Sequence, residues 1–595
     1  QQLKTRLSPV RVRLRPGGAV PRRVLVSERK MSAATDSSPL PARPMRWVRA
    51  DVWTIGTVFF AAVIAAPILT VLILAASSSG DIWNHLASTV LPRYIRTTLG
   101  LMAGAGAGTA VIGVASAWLV TLCRFPGRRV FEWALLLPMA MPAYVVAYVY
   151  TDILEYAGPV QELLRQVFGW SSGRDYWFPE IRSLGGAAAM MTLVLYPYVY
   201  LLARIAFLQQ SACVLEASRT LGLGPWRSFF SVALPLARPS IVIGVSLVLM
   251  ESLNDFGTVD FFSVETLTAG IYDVWLNMNN TAGAAQLATV SLAFVLALIG
   301  AEKWSRRSQR FYTTSSKCRP LPNYRLKGSR AAIAFAVCLL PVAFGFLVPA
   351  GVLLNYAARF YEESLSANFL TYAGNSLMLS SISAALAALL GLFMAYGVRI
   401  NGSPLLVAAS RLASIGYAVP GAVLAVGVMI PLARADAAID GLMRNLFGIP
   451  ARLLLSGTIV AVTYGYLVRF LTLSYGTAES SLAKITPNMD DASRTLGMSP
   501  GRTLRRVHFP LIRGSVLAAA ILVFVDCMKE LPMTIILRPF NYGTLATQVH
   551  QFASDELLEE SALGALAIVA AGILPVIILS ATIHDTRPGH SGAKG

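Results

Sequence analysis

Long apolar segments alternate with short polar loops along most of this 595-residue chain. A helix needs about 20 predominantly apolar residues to cross the hydrocarbon core of a bilayer. We count twelve such segments, which predicts an all-α polytopic membrane protein with about twelve transmembrane helices. The predicted segments lie near residues 53–77, 97–122, 131–154, 184–208, 236–255, 284–302, 331–357, 374–398, 405–432, 452–475, 511–530 and 561–584. Those at 131–154 and 405–432 contain prolines that are expected to break their helices.

One polar phrase is written twice between these apolar segments. ASRTLGLGPWRSFFSVALPLAR begins at Ala217 and ASRTLGMSPGRTLRRVHFPLIR begins at Ala492, and twelve of the 22 positions are identical without a gap. The similarity extends to charged residues on either side of the phrase. The matched pairs are Arg204 with Arg469, Glu251 with Asp526, and Asp255 with Glu530. An even number of spans per copy predicts two parallel six-helix repeats around an axis along the membrane normal.

The repeat and the charge pattern together predict how the chain is divided. We expect a basic tail at residues 1–50, a first half at 51–305 with its core at about 94–303, a basic cytoplasmic linker at 306–330, a second half at 331–585 with its core at about 371–581, and a tail at 586–595.

The net charge of +19 could suggest nucleic acid. However, the basic clusters fall on the same side of the predicted membrane as both copies of the phrase, and the opposite loops are acidic. Because basic loops stay in the cytoplasm, this distribution favours a multi-pass protein of a bacterial inner membrane with both termini cytoplasmic. Its expected environment is the lipid bilayer, with no nucleic-acid partner.

Each polar phrase predicts two short helices joined by a glycine turn. In the first copy, Glu216 suits the beginning of a helix, Gly222 interrupts that helix, and Pro235 begins the return into the membrane. Asp491, Gly497 and Pro510 repeat this design in the second copy.

The phrase resembles the coupling-loop signature of the permease subunits of type I ABC importers. That signature is Glu-Ala-Ala, three residues, Gly, nine residues, then Ile-x-Leu-Pro. This chain departs from it mildly, with Ser in place of the second Ala in both copies, and with Asp for Glu and Phe for Leu in the second. The loop residues that we single out are Glu216, Ala217, Ser218, Arg219, Gly222 and Pro235 in the first copy, and Asp491, Ala492, Ser493, Arg494, Gly497 and Pro510 in the second.

The resemblance implies partners for this chain. Each loop would dock in a separate ATPase subunit, present in two copies, and a periplasmic binding protein would deliver the cargo. The chain contains no GxxxxGK[ST] phosphate loop, so we expect a transport subunit without its own ATPase site and without a cofactor, with ATP and Mg bound by the partner. Two halves fused in one chain are most similar to the iron(III) permeases of this class. Thiamine, polyamine and phosphonate permeases share the loops and stay alternatives.

Four acidic residues are candidates for the translocation pathway. Glu251 is expected about 16 Å into its span, with Asp255 one turn further on the same face, and Asp526 and Glu530 repeat this pair. A carboxylate at bilayer depth costs about 3 kcal/mol, so it usually faces the protein interior or water. These acids either line a cation pathway or form hydrogen-bonded packing between the halves, with Asp526 or Glu530 next to Lys529. A conduit must release its cargo, so we expect no tight metal site.

Other classes of protein fit the sequence less well. A twelve-span secondary carrier could have parallel halves, but it has no reason to repeat a helix–glycine–helix phrase. The five histidines do not cluster and no HExxH or GxSxG motif occurs, so an intramembrane enzyme is not indicated. The five cysteines form no CxxC pair, which argues against a zinc site. The tyrosines of AYVVAYVY, which are Tyr144, Tyr148 and Tyr150, are expected to serve as packing and interface anchors.

Overall fold

The computed structural model of this chain describes residues 51–77, 82–210, 216, 218, 220–306, 324–365, 367–450 and 453–585. Across these ranges the chain is almost entirely helical, which confirms the prediction of an all-α membrane protein. Ten helices of the described residues are long and apolar enough to cross a membrane. A pair of helices bent by 90°, Arg128–Ala140 with Ala143–Phe168, would make eleven if it counts as one span. The basic tail at 1–50, most of the linker and the tail at 586–595 lie outside the described residues.

The first half runs from helix α1 to helix α12. Its α-helices are α1 (Val52–Ala75), α2 (Ile82–His85), α3 (Leu91–Leu122), α4 (Arg128–Ala134), α5 (Ala143–Leu154), α6 (Pro159–Phe168), α7 (Leu184–Gln209), α8 (Pro225–Ser228), α9 (Leu234–Asn254), α10 (Gly257–Phe261), α11 (Leu267–Tyr272) and α12 (Thr281–Arg306). A two-residue strand, β1 (Cys123–Arg124), pairs in parallel with β2 (Tyr324–Arg325) at the end of the linker.

The second half repeats this order. Its α-helices are α13 (Ser329–Val342), α14 (Val348–Arg359), α15 (Tyr361–Ser364), α16 (Ala367–Asn401), α17 (Pro404–Ala413), α18 (Gly421–Phe447), α19 (Ile459–Ala483), α20 (Pro487–Thr495), α21 (Pro500–Thr503), α22 (Phe509–Met528), α23 (Pro532–Leu537), α24 (Leu545–Ser554) and α25 (Leu558–Asp585). Helix α25 lies where the last of the twelve apolar segments was predicted.

Prolines break two of the predicted segments, as expected. In the segment at 131–154, Pro142 is extended and separates a 3-10 turn at Leu137–Ala140 from α5. In the segment at 405–432, Pro420 does the same before α18. The second prediction was nevertheless wrong in its bounds, because the long helix there begins only at Gly421 and continues to Phe447.

Four other prolines follow a widened turn inside a continuous helical run. A π-type turn ends one residue before the X-Pro pair at Pro92, Pro235, Pro349 and Pro510. Before Pro235, for example, the amide of Leu234 donates to the carbonyl of Phe229, five residues back. Proline has no N–H and its ring collides with the carbonyl four residues back, and a wider turn relieves both problems. Pro235 and Pro510, which were expected to begin the return into the membrane, therefore lie within continuous helical runs that start at Trp226 and Pro500.

The first membrane-spanning run of each half, α1 in the first and α13 with α14 in the second, packs on the other half. Helix α1 packs against α16, α17 and α18 of the second half, and α14 packs against α5 of the first half as well as α25. The hydroxyl of Tyr464 donates to the carbonyl of Val63 in α1 (2.5 Å), and that of Tyr150 donates to the carbonyl of Phe344 (2.6 Å). The two halves are therefore interlocked rather than merely adjacent, whereas the exact half boundaries stay a prediction.

The repeat is visible in individual hydrogen bonds. The hydroxyl of Thr98 accepts from the amide of Leu267 (3.0 Å), and the hydroxyl of Ser376 accepts from the amide of Leu545 (2.8 Å). In both cases a hydroxyl of a long helix, α3 or α16, accepts from the first amide of a short helix, α11 or α24. The residues of the two hydrogen bonds are 278 positions apart. This offset relates α3 to α16, whereas 275 relates the polar phrases.

Candidate functional site

A cavity of about 110 Å³ lies between the two halves. All four acids predicted for the pathway line it: Glu251, Asp255, Asp526 and Glu530. The sequence repeat alone therefore located residues that the fold brings to one place. The cations lining the same cavity are Arg469 and Lys529, and its phenols are Tyr144, Tyr198 and Tyr417.

Two of the acids cap short helices. Helix α9 ends at Asn254, and Asp255 accepts from the amide of Thr258 (3.0 Å) at the start of α10. Glu530 accepts from the amides of Met533 and Thr534 (both 3.1 Å) at the start of α23. A carboxylate at this place satisfies amides that have no partner within the helix. The expectation that Asp255 continues the helical face of Glu251 was wrong, because the helix stops between them.

The other two acids are partly buried and differ in their partners. Asp526 pairs with Lys529, whose Nζ lies 2.9 Å from Oδ1. Glu251 instead accepts a hydrogen bond from the hydroxyl of Tyr417 in the opposite half (3.0 Å). Asp526 therefore pairs with a lysine of its own half, whereas Glu251 bonds to a neutral phenol of the other half.

Glu530 carries a second interaction that joins distant helices. Its Oε1 lies 2.7 Å from Nη1 of Arg469, in the middle of α19, and both side chains are more than nine-tenths buried. Gly421 makes this approach possible, since a Cβ there would lie 2.7 Å from Arg469 Nη1 and 2.8 Å from Glu530 Oε1. The amide of Gly421 also donates to Asn254 Oδ1 in the first half (2.7 Å). Glycine is thus required where the start of α18 meets both halves.

Arg204 and Arg469 do not occupy equivalent places, contrary to the sequence alignment. Arg204 lies beside Glu132, with Nη2 3.2 Å from Oε2. Close helix contacts give a different register: Gly113 packs on the amide of Tyr200, and Gly391 packs on the amide of Tyr475. The offset of 275 that relates the polar phrases therefore also relates α7 to α19. The match of Arg204 with Arg469 arose because the short stretches YLLAR and YLVR resemble each other.

The second polar loop has a defined helix–glycine–helix shape. Helix α20 begins at Pro487, so Asp491 lies inside it. The sequence analysis had expected Asp491 at the start of the helix. Gly497 adopts a φ of +73°, and the amide of Met498 closes the turn on the carbonyl of Ser493 (3.0 Å). This left-handed residue ends one helix so that α21 can leave in a new direction. Arg494 lies 3.8 Å from Asp491 and both side chains are largely exposed.

The first polar loop repeats the turn. Gly222 has a φ of +80°, and the amide of Leu223 donates to the carbonyl of Ser218 (3.1 Å). Ser218 is buried and shares a hydrogen bond with Ser228 (2.7 Å), whereas Glu216 is exposed. Ala217 and Arg219 lie outside the described residues. Serine in place of alanine therefore stabilises the first loop internally through a polar contact.

The two loops are anchored differently. At the second loop, Arg399 at the end of α16 pairs with Asp490 (2.7 Å), and His508 Nε2 lies 2.9 Å from the same carboxylate. At the first loop, Trp118 corresponds to Tyr396 and packs edge-on against Phe229 (4.7 Å between ring centroids). Sequence reasoning missed the Arg399–Asp490 anchor, and the arginine that ends an otherwise apolar span was the available signal.

The exposed residues of both loops include an apolar tip. Leu221 is 81% exposed and Leu496 is 78% exposed, at positions 275 apart. Since a large apolar side chain in a polar loop gains nothing from water, these paired tips are candidate contact points for another protein.

Comparison with known proteins agrees with these features. A family model for binding-protein-dependent transport system inner membrane components matches residues 109–310. The Fe(3+)-transport system permease protein FbpB 2 of Haemophilus influenzae is 24% identical over 91% of this chain and 99% of its own length. The ferric transport system permease protein FbpB of Actinobacillus pleuropneumoniae is 26% identical over 86% of this chain and 74% of its own. The molybdenum transport system permease protein ModB of Escherichia coli K12 is 31% identical over 33% of this chain and 86% of its own length. With its repeated loops, interlocked halves and shared cavity, the chain belongs to the family of binding-protein-dependent transport system inner membrane components, the permeases of ABC importers.

Proposed function

We propose that this permease imports iron(III), which a periplasmic binding protein delivers and a separate ATPase drives through the cavity between the halves. The observation that carries this proposal is the charge of the cavity wall, where four carboxylates face two cations. The excess of two negative charges lowers the barrier for a cation in a low-dielectric setting. Iron(III) is a hard cation that prefers carboxylate and phenolate oxygens, and carboxylates and tyrosine hydroxyls line the cavity.

The similar ferric permeases support the same cargo, since two of them align over most of the chain. Other relatives are named for molybdenum and sulfate transport, but they align with only about a third of it. An anionic cargo such as sulfate would meet the excess of carboxylates in this cavity and be repelled. Thiamine and polyamines are cations and remain the alternative cargoes.

In this proposal, the two polar loops couple the permease to two ATPase copies on the cytoplasmic side. Each loop offers a stiff turn at Gly222 or Gly497 and an exposed leucine at its tip. ATP and Mg bind the partner, and the permease itself hydrolyses nothing. The charge bias of the loops supports a cytoplasmic location for the basic side and, with it, for both termini.

Reconstitution tests the proposal. The purified chain, its ATPase and its binding protein are placed in liposomes, and uptake of radiolabelled iron(III) is followed with and without ATP. We expect uptake that needs all three proteins and ATP, and that excess thiamine does not compete with. ATP hydrolysis that thiamine-loaded binding protein stimulates, with no response to iron-loaded protein, would assign the other cargo. Iron uptake that persists without the ATPase would contradict the ABC mechanism.

A further inference from the structure

The four cavity acids are not equally available to a cargo. Asp255 and Glu530 are occupied as helix caps, and Glu530 is also paired with Arg469. Asp526 is paired with Lys529. Glu251 is the remaining acid, and its hydrogen bond comes from the neutral phenol of Tyr417. Glu251 is therefore the cavity acid that neither caps a helix nor forms an ion pair at salt-bridge distance, and it is the acid we expect a cation to meet.

Phenol oxygens surround Glu251. Tyr417 bonds to it, and Tyr198 lines the same cavity. Tyr144 lines the same cavity, is 95% buried, and its hydroxyl has no hydrogen-bond partner among the described residues. A buried hydroxyl that stays unpaired loses the free energy of its hydration, which a ligand in the cavity would restore. These residues come from α5, α7, α9 and the 3-10 turn before α18, so the site exists only where both halves meet.

Lys529 lines the same cavity as the four acids. Its ammonium group is bound to Asp526 and also lies within electrostatic reach of Glu251 and Tyr198. The position equivalent to Lys529 in the first half is Asn254, which holds the amide of Gly421. The lysine thus belongs to one half only, and it sits among acids and phenols of both halves.

We propose that Glu251, Tyr417 and Tyr198 form a transit site for a hard trivalent cation, and that Lys529 is a tethered counter-ion that fills this site until the cargo displaces it. The inference rests on the proposed cationic cargo and adds the residues that receive it. When the cation arrives, it repels the ammonium group, and Asp526 is released from its pair to become a further oxygen ligand. A trivalent ion gains three times the Coulomb energy of an ammonium group at the same distance, so it can win the exchange. Once the cation leaves, Lys529 returns and restores the resting charge, which keeps binding weak enough for transport.

Binding of terbium(III) to the full-length chain tests this exchange. Terbium(III) is a hard trivalent ion whose luminescence is sensitised by nearby tyrosines, and nanodiscs of zwitterionic lipid reduce binding by headgroups, which empty nanodiscs measure. We expect Lys529→Met to bind terbium(III) at least about tenfold more tightly than the wild type, because the competing cation is gone while Asp526 and Glu251 remain. Lys484→Met, which removes an exposed lysine at the end of α19, is the matched control and should bind like the wild type.

Further variants separate binding from misfolding. Lys529→Met leaves Asp526 without its partner. The double variant Asp526→Asn, Lys529→Met removes both charges of the pair, and we expect this double variant to bind terbium(III) more weakly than Lys529→Met alone. Glu251→Gln and Tyr417→Phe, each combined with Lys529→Met, should abolish the gain in affinity. Equal affinity of wild type and Lys529→Met in well-folded samples, or a gain that survives Glu251→Gln, would overturn the inference.

The outcome is independent of the iron-uptake assay. Wild-type iron uptake together with unchanged terbium(III) affinity in Lys529→Met would leave the proposed function intact and overturn the tethered counter-ion. Tighter terbium(III) binding by Lys529→Met without any iron uptake by the reconstituted complex would support the site and overturn iron as the cargo.

Discussion

At the residue scale, four acids with the same ancestry in the sequence repeat have separate duties. Asp255 and Glu530 stabilise the starts of α10 and α23, whereas Glu251 and Asp526 face the cavity without capping a helix. The sequence predicted that the two pairs lie near each other, because the repeat placed them at matching depths in the two halves. It could not separate their duties, because nothing local indicates that α9 ends between Glu251 and Asp255 rather than one turn later.

The division of duties gives a direct prediction for uptake. Asp255→Asn should keep iron uptake within about twofold of the wild type, because asparagine caps a helix nearly as well as aspartate. Glu251→Gln should lower uptake at least about tenfold, since it removes the charge of the cavity acid that neither caps a helix nor forms an ion pair. Initial uptake rates in proteoliposomes measure both variants, and a larger loss with Asp255→Asn than with Glu251→Gln would reverse the assignment.

The buried ion pair between Arg469 and Glu530 predicts a large effect on stability. Arg469→Met leaves a buried carboxylate without its partner and should destabilise the protein by about 3–5 kcal/mol. Arg444→Met breaks a pair with Asp440 in which the arginine is largely exposed, and should cost less than about 1 kcal/mol. Thermal unfolding of the two variants in the same detergent compares them, and equal melting temperatures would show that the buried pair adds nothing.

At the element scale, the polar loops combine a rigid turn with an anchor to the membrane core. The positive φ of Gly222 and Gly497 could be foreseen, because both copies of the polar phrase have glycine at the same position, where the first short helix must end. The anchor of the second loop was not, since Arg399 and Asp490 are 91 positions apart and only the fold brings them together. The π-type turns before four prolines were also missed, as an X-Pro pair in an apolar segment usually indicates a helix start.

The glycine turn predicts a substitution that uncouples the loop. Gly497→Val places a β-branched residue at φ +73°, which costs about 1–2 kcal/mol and reshapes the turn, although nothing lies within 4 Å of the new Cβ. We expect ATP hydrolysis in the complex to lose its stimulation by loaded binding protein, while the variant still inserts in the membrane.

Gly501→Val is the matched control for the turn, because Gly501 lies in α21, is equally open and has no positive φ. Gly497→Asn should retain stimulation, since asparagine tolerates the left-handed region. Stimulation that is normal in Gly497→Val would show that the shape of this turn does not matter for coupling.

At the scale of the whole molecule, each half completes the other. Helix α1 covers the second half and α14 covers part of the first, so that neither half buries its apolar surface alone. The sequence predicted two halves in one plan, because periodic apolar segments and a repeated phrase are local signals. It did not predict that the first membrane-spanning run of each half packs on the other half, since all twelve segments are similarly apolar and their partners depend on long-range packing.

This packing predicts that the chain tolerates a break between its halves. If the linker is cut between residues 306 and 324 and the fragments are co-expressed, they should purify as one complex through a tag on either fragment. Removing α1 from the first fragment should weaken the association, because it uncovers α16 and α18. Fragments that separate during purification even with α1 present would contradict the interlocked arrangement.

The central claim is that an ATPase grips the chain at both polar loops and thereby acts on the cavity between the halves. Cross-linking from Leu221→Cys and Leu496→Cys tests it directly, in a chain whose Cys213 and Cys318 are serine, since Cys123, Cys338 and Cys527 are buried. We predict that both cysteines cross-link to the ATPase in membranes and that ATP changes the yield. Labelling of either cysteine by a membrane-impermeant maleimide from the periplasmic side, or cross-links to the ATPase from neither position, would contradict the account.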